Sequence, residues 1–217
     1  MTSDGHGGAS AFVWSDDPLS VFERGMYFDG VDDIFTINGF TIDVNHTIEL
    51  WVMIWDVGKS FFVINYPSET DGTDVFYTFT QIGGRIGITL RGNDYTGGPD
   101  TITTKQWTHL AVSAAWNGAE TIFLFYRNAS PLGSSIAALP EFPVLDAVEN
   151  IHMLGAQYDS STGSRVLNEF FKGFIYKLCI SNFASDIFDD VDLDPDCGLG
   201  YCSTCPADVC LMECDAD

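Results

Sequence analysis

Phe170-Phe-Lys-Gly-Phe-Ile-Tyr-Lys-Leu-Cys-Ile-Ser-Asn-Phe183 is too aromatic and β-branched for a surface helix. Within it, Leu178 and Ile180 alternate with Lys177, Cys179 and Ser181, the two-residue period of a strand with one buried face. Gly173 reads as a bend in that strand rather than a break. Two earlier stretches have the same character. His46-Thr-Ile-Glu-Leu-Trp-Val-Met-Ile54 sets Ile48, Leu50, Val52 and Ile54 on one face. Trp107-Thr-His-Leu-Ala-Val-Ser-Ala114 sets Leu110 and Val112 opposite His109 and Ser113. Those seven aliphatic residues from Ile48 to Ile180, Ile54 aside, are the expected core, and Glu49, which stands alone on its strand, is expected to face solvent or pair with a cation.

Further strands are expected near 26–28, 34–38, 60–66, 74–81, 85–91, 120–127 and 150–155, besides the three above. The turn-rich stretches Asn93–Asp100 and Asp159–Ser164 read as loops, and Leu132–Val148, with Pro131, Pro140 and Pro143 in or beside it, as a long surface connection. No helix longer than a turn or two is expected. The 217 residues suffice for one substantial core. Three regions follow: an irregular lead-in over 1–20, a sandwich over 21–184, and an acidic linker with a cysteine-rich segment over 185–217.

Several stretches, in order, resemble the laminin-G-like or concanavalin-A-like jelly roll. Met26-Tyr-Phe-Asp-Gly-Val-Asp-Asp-Ile-Phe-Thr-Ile37 is similar to that family's opening hairpin, and Thr47-Ile-Glu-Leu-Trp-Val52 to its next core strand. Trp107-Thr-His-Leu-Ala-Val112, Thr121–Asn128 and Phe171-Lys-Gly-Phe-Ile175 resemble later strands. The resemblance implies an all-β, antiparallel two-sheet sandwich, and a function by analogy only, because the family holds adhesion modules, lectins, pentraxins and a few enzymes. It also implies that calcium could be held at the rim by loop aspartates, with Asp94, Asp100 and Asp159 in candidate loops.

Charge narrows the partners. With 31 acidic against 9 basic residues, the net charge of −22 excludes the basic footprint that nucleic acids require and disfavours anionic membranes. No apolar run of about 18 residues offers a membrane span. Catalytic motifs are absent: there is no G-x-S-x-G, no H-E-x-x-H, and Gly58-Lys-Ser60 is a hairpin turn rather than a phosphate loop. The carboxylate-bearing strand of jelly-roll glycosidases is absent too, so no enzyme is expected.

Six cysteines, Cys179, Cys197, Cys202, Cys205, Cys210 and Cys214, suggest disulfides and an oxidising, extracellular destination. Zinc is the rival for Cys202-Ser-Thr-Cys205, without a nearby His. The sequons at Asn45 and Asn128 agree with secretion, although Pro131 follows the second. Residues 1–25 carry no apolar signal core, so the chain is expected to be a fragment, a processed form or one module of a longer polypeptide. Because Cys179 alternates with Leu178 and Ile180, it should point outward. A bridge from Cys179 to Cys197 would close a loop of about 18 residues and contribute roughly 3 kcal/mol.

Asp190, Asp192 and Asp194 place carboxylates at alternate positions, as calcium ligands often are, or form a solvated acidic linker. Trp51 and Trp107 read as core; Tyr95 and Trp116, in turn-like sequence, are the candidate ligand contacts. The expected function is a non-catalytic extracellular recognition or adhesion module binding glycan or protein. The alternative is a structural subunit assembled from copies of itself.

Overall fold

The computed structural model describes residues 26–37, 42–58, 60–65, 75–90, 93–99, 101–137, 151–155, 157–159, 166–168 and 170–185. The strands are β1 (Met26–Asp29), β2 (Phe35–Ile37), β3 (His46–Ile54), β4 (Ser60–Asn65), β5 (Val75–Ile82), β6 (Arg85–Leu90) and β7 (Asn93–Thr96). They continue as β8 (Trp107–Trp116), β9 (Thr121–Arg127), β10 (Ser130–Ala137), β11 (Ile151–Leu154), β12 (Gln157–Asp159), β13 (Val166–Asn168) and β14 (Lys172–Ser181). No helix occurs among the described residues, and so none that is long and apolar enough to cross a membrane.

Two six-stranded antiparallel sheets face each other. The first has the order β1-β14-β3-β8-β9-β10, the second β2-β11-β4-β5-β6-β7, and β12 pairs with β13 as a separate ribbon. All ten strands expected from sequence are present. Four more are found: β7 and β10, read as loops, each form an outer edge of a sheet, and β12 and β13 are three residues long.

The core fills the space between the sheets. Ile48, Leu50, Val52, Leu110 and Val112 are wholly buried, and Leu178 and Ile180 nearly so, as their alternation requires. From the second sheet come Phe61, Phe79, Ile86, Ile88 and Leu90. Phe61 bridges the layers, edge-on to Phe79 at 6.1 Å and to Phe171 at 5.4 Å, a favoured geometry for aromatic quadrupoles.

One irregularity in β14 decides which side chains face out. Ile175 and Leu178 both belong to the core although they stand three positions apart, an odd step. The strand accommodates this by slipping register: Tyr176 stands opposite Trp51, whereas Cys179 stands opposite Glu49, so three steps on β14 match two on β3. That is a β-bulge with one extra residue. Tyr176 and Cys179 therefore lie on the outer face, away from the core.

That outer face departs from expectation. Cys179 does point outward, yet it is buried, and so are Glu49, His109 and Ser113 beside it. Glu49 meets the His109 imidazole at 3.2 Å instead of facing solvent. Burial favours this pairing, because a carboxylate out of water needs a hydrogen-bonding partner.

The expected disulfide framework meets the structure at one position. Cys179 is the sole cysteine among the described residues, and it is buried in the outer face of β14. Cys197, Cys202, Cys205, Cys210 and Cys214 lie outside the described residues, and so does any pairing among them or with Cys179. Asp190, Asp192, Asp194 and residues 1–20 lie outside them as well.

Candidate functional site: an aromatic row beside an acidic turn

One end of the outer face stays partly open. Register aligns Tyr27 of β1 with Phe174 of β14, Phe174 with Met53 of β3, and Met53 with Trp107 of β8. These four side chains form one row across four strands, about 14 Å long at ordinary strand spacing. All four are half-buried, as is Trp55 just past the end of β3. The rings touch. Tyr27 lies 5.0 Å from Phe174 and 5.5 Å from Trp55, Trp55 lies 5.9 Å from Phe174, and Trp107 lies 6.1 Å from Phe174.

Backbone chemistry holds the row in place. Trp55 N–H donates to the carbonyl of Lys172 at 2.9 Å, so the chain leaving β3 stays against β14. Gly173, beside Phe174, has φ +146°, and a β-carbon there would overlap the Met53 carbonyl oxygen. Only glycine lets the two strands approach so closely at this point. Next along the face Trp51 is buried, its ring 5.6 Å from His109, whereas Tyr176 opposite it on β14 stays half-buried.

The acidic turn adjoins the row through β1, where Tyr27 and Asp29 share the outer face two residues apart. Asp29, Asp32 and Asp33 bring carboxylate oxygens within 4.8 Å of one another. Asp33 Oδ2 accepts from Asp29 N–H at 2.8 Å, and Asp29 Oδ1 from Val31 N–H at 2.7 Å. Gly30 makes the turn with φ +82°, and a β-carbon there would come within 2.8 Å of Lys172 Cβ. Partial burial, and then the like charges of Asp29 and Asp32, push the Asp33 carboxyl above its usual range, against the Asp29 amide, which lowers it. Exposed Asp56 adds a fourth carboxylate next to Trp55, while Lys172 and Lys105 supply the cations; Lys105 N–H is tied to the Ile54 carbonyl.

The residues singled out in the sequence lie elsewhere. Tyr95 belongs to β7 rather than a loop and packs on Phe123 at 5.6 Å against the core. Asp94 is on the same strand and accepts from the Thr89 hydroxyl at 2.7 Å. Trp116 ends β8, half-buried, its backbone N–H held by Asn45 Oδ1 at 2.9 Å. Asn128 is exposed at the β9–β10 turn with φ +48°, its Oδ1 accepting from His109 N–H at 3.0 Å. Trp107, expected in the core, faces outward. The signal for it was present: Trp107 has the opposite parity to Leu110 and Val112, and Trp51 the opposite parity to Leu50 and Val52.

No protein-family model matches the sequence, and no curated protein matches it. Solved structures do. A heptameric SAP-like pentraxin from Limulus polyphemus is similar with a TM-score of 0.55 at 16% identity, over 81% of this chain and 82% of that one. A putative carbohydrate binding protein from Bacteroides ovatus aligns with a TM-score of 0.53 at 13% identity, over 78% of this chain and 46% of that one. The CBM40 of the Ruminococcus gnavus IT-sialidase aligns with a TM-score of 0.52 at 15% identity, over 80% and 97%; that module has also been seen bound to α2,3-sialyllactose. At these identities the shared property is architecture, and the architecture is a concanavalin-A-like, laminin-G-like jelly-roll sandwich.

Proposed function

We propose that this chain is a non-catalytic, extracellular glycan-binding module whose contact surface is the row Tyr27–Phe174–Met53–Trp107 with Trp55. The observation that carries the reading is the row itself: four touching rings left half-exposed on the outer face of the sheet, beside positions such as Trp51 and His109 that are buried. An aromatic face carries negative charge density and attracts the weakly positive C–H face of a sugar ring. The carboxylates of the adjoining turn are acceptors placed to receive hydroxyl groups, so one sugar can satisfy both its apolar and its polar sides here. The carbohydrate-binding proteins that share the architecture support the same reading.

A secreted setting agrees with the six cysteines and the two sequons, with Asn128 exposed for modification. A calcium ion taken by the described surface would be held by oxygens of Asp29, Asp32 and Asp33, and would supply charge neutralisation to a crowded acidic turn. Glycan-array binding by the whole chain tests the proposal. Binding that is lost in Trp55→Ala and kept in Trp116→Ala is the expected result. A folded protein that binds no glycan, but associates into assemblies of its own, would replace this reading with the structural-subunit one.

A further inference from the structure

Resting on that reading, we infer that the aromatic row selects uncharged glycans and discriminates against sialylated, uronic or sulfated ones. The ligand is placed by the rings, and the charge around them decides which ligands are tolerated. Among the described residues bordering the row, Asp29, Asp32, Asp33 and Asp56 carry negative charge, against Lys105 and Lys172. Lys172 is itself in register with Asp29, and its side chain lies against Gly30 within the acidic turn. Two lysines against four carboxylates leave this rim with a net negative charge. Among the described residues no arginine is placed along the row by the register of its four strands, so these strands offer no bidentate fork to hold a sugar carboxylate or sulfate. The chain's net charge of −22 adds a long-range repulsion of the same sign. Hydroxyl groups, in contrast, are donors that carboxylates accept without charge conflict.

The effect is electrostatic and at the surface, so it should be screened by salt within about 8–10 Å near physiological ionic strength. It should also weaken when a rim carboxylate is neutralised. Asp32 suits this purpose because it is exposed, and Asp32→Asn changes charge with almost no change in shape.

The experiment is an array of matched pairs, each neutral oligosaccharide beside its sialylated or sulfated counterpart, probed with the full chain in EDTA so that the carboxylates keep their own charge. The expected result is about five- to tenfold weaker binding of the anionic member of each bound pair. That gap should narrow in 0.5 M salt and in Asp32→Asn. Equal or tighter binding of anionic members overturns the inference and leaves the glycan-binding reading intact. A neutral preference indifferent to both salt and Asp32→Asn also overturns it, since charge would then not be the cause. Failure to bind any member of any pair sinks the glycan-binding reading itself.

Discussion

Glu49 and His109 meet at 3.2 Å on the side of the first sheet that faces away from the sandwich core, and both are buried there. A polar pair in such a place is costly to break, because either partner alone leaves a desolvated group behind. Glu49→Ala and His109→Ala should each lower unfolding stability by about 1–3 kcal/mol. A double-mutant cycle in urea should show a coupling of at least about 0.5 kcal/mol. Strict additivity would mean that the two side chains are neighbours without being partners.

The pH dependence of stability should carry the signature of His46. This side chain is fully enclosed, with Nδ1–H donating to the Asp43 carbonyl at 2.8 Å, and burial pushes its pKa down from 6.5 to about 4. The folded state thus resists a proton that the unfolded chain accepts. The stabilisation is complete above pH 6.5 and is lost as pH falls from there through about 4, amounting to roughly 3 kcal/mol. Asp33 works in the opposite direction, since its raised pKa means that acid relieves a crowded carboxylate. Chemical denaturation from pH 7.5 to 4 should show the loss, and His46→Gln should flatten it.

In the core, Leu50→Ala and Leu110→Ala should cost about 2–5 kcal/mol and Phe79→Ala about 3–5 kcal/mol, since each side chain is wholly buried and its removal leaves a cavity. Equilibrium unfolding gives these values. Costs under about 1 kcal/mol would place the core elsewhere.

Gly173→Ala should destabilise by more than about 1 kcal/mol, because a β-carbon there overlaps the Met53 carbonyl oxygen and the backbone lies at φ +146°. The change also pushes β14 away from β3 beside Phe174, so any glycan affinity should fall with it. Gly118→Ala is the control: its φ of +97° carries backbone strain, but nothing lies within 4 Å of the added carbon. It should cost less and leave binding alone.

Much of the fold was legible because strands with one core face write their geometry into the sequence at period two. Ile48 to Ile54 and Leu110 to Val112 show this directly. The missed strands are those where that rule weakens. β10 reads Ser-Pro-Leu-Gly-Ser-Ser-Ile-Ala and β7 reads Asn-Asp-Tyr-Thr, loop-like compositions that an edge strand tolerates because only one side must pair. The bulge in β14 was hidden for another reason: alternation on either side of it is regular, and only Ile175 and Leu178 being buried together reveals the slip. The aromatic row was obscured in a similar way. Parity assigns Tyr27, Phe174 and Trp107 to the face opposite the core, but not whether that face is sealed, as at Trp51, or open, as at Trp55. That depends on which strands lie side by side, and β1, β14, β3 and β8 are far apart in the chain.

The most direct test of the glycan-contact surface uses the indole N–H signals of the five tryptophans, assigned by single substitution in a ¹⁵N-labelled full chain. Titration with a neutral oligosaccharide taken from the array should move the signals of Trp55 and Trp107 in parallel, at one affinity, and leave Trp116 in place. Movement of Trp116 with Trp55 and Trp107 unperturbed would contradict the account, because the sugar would then sit at the other end of β8.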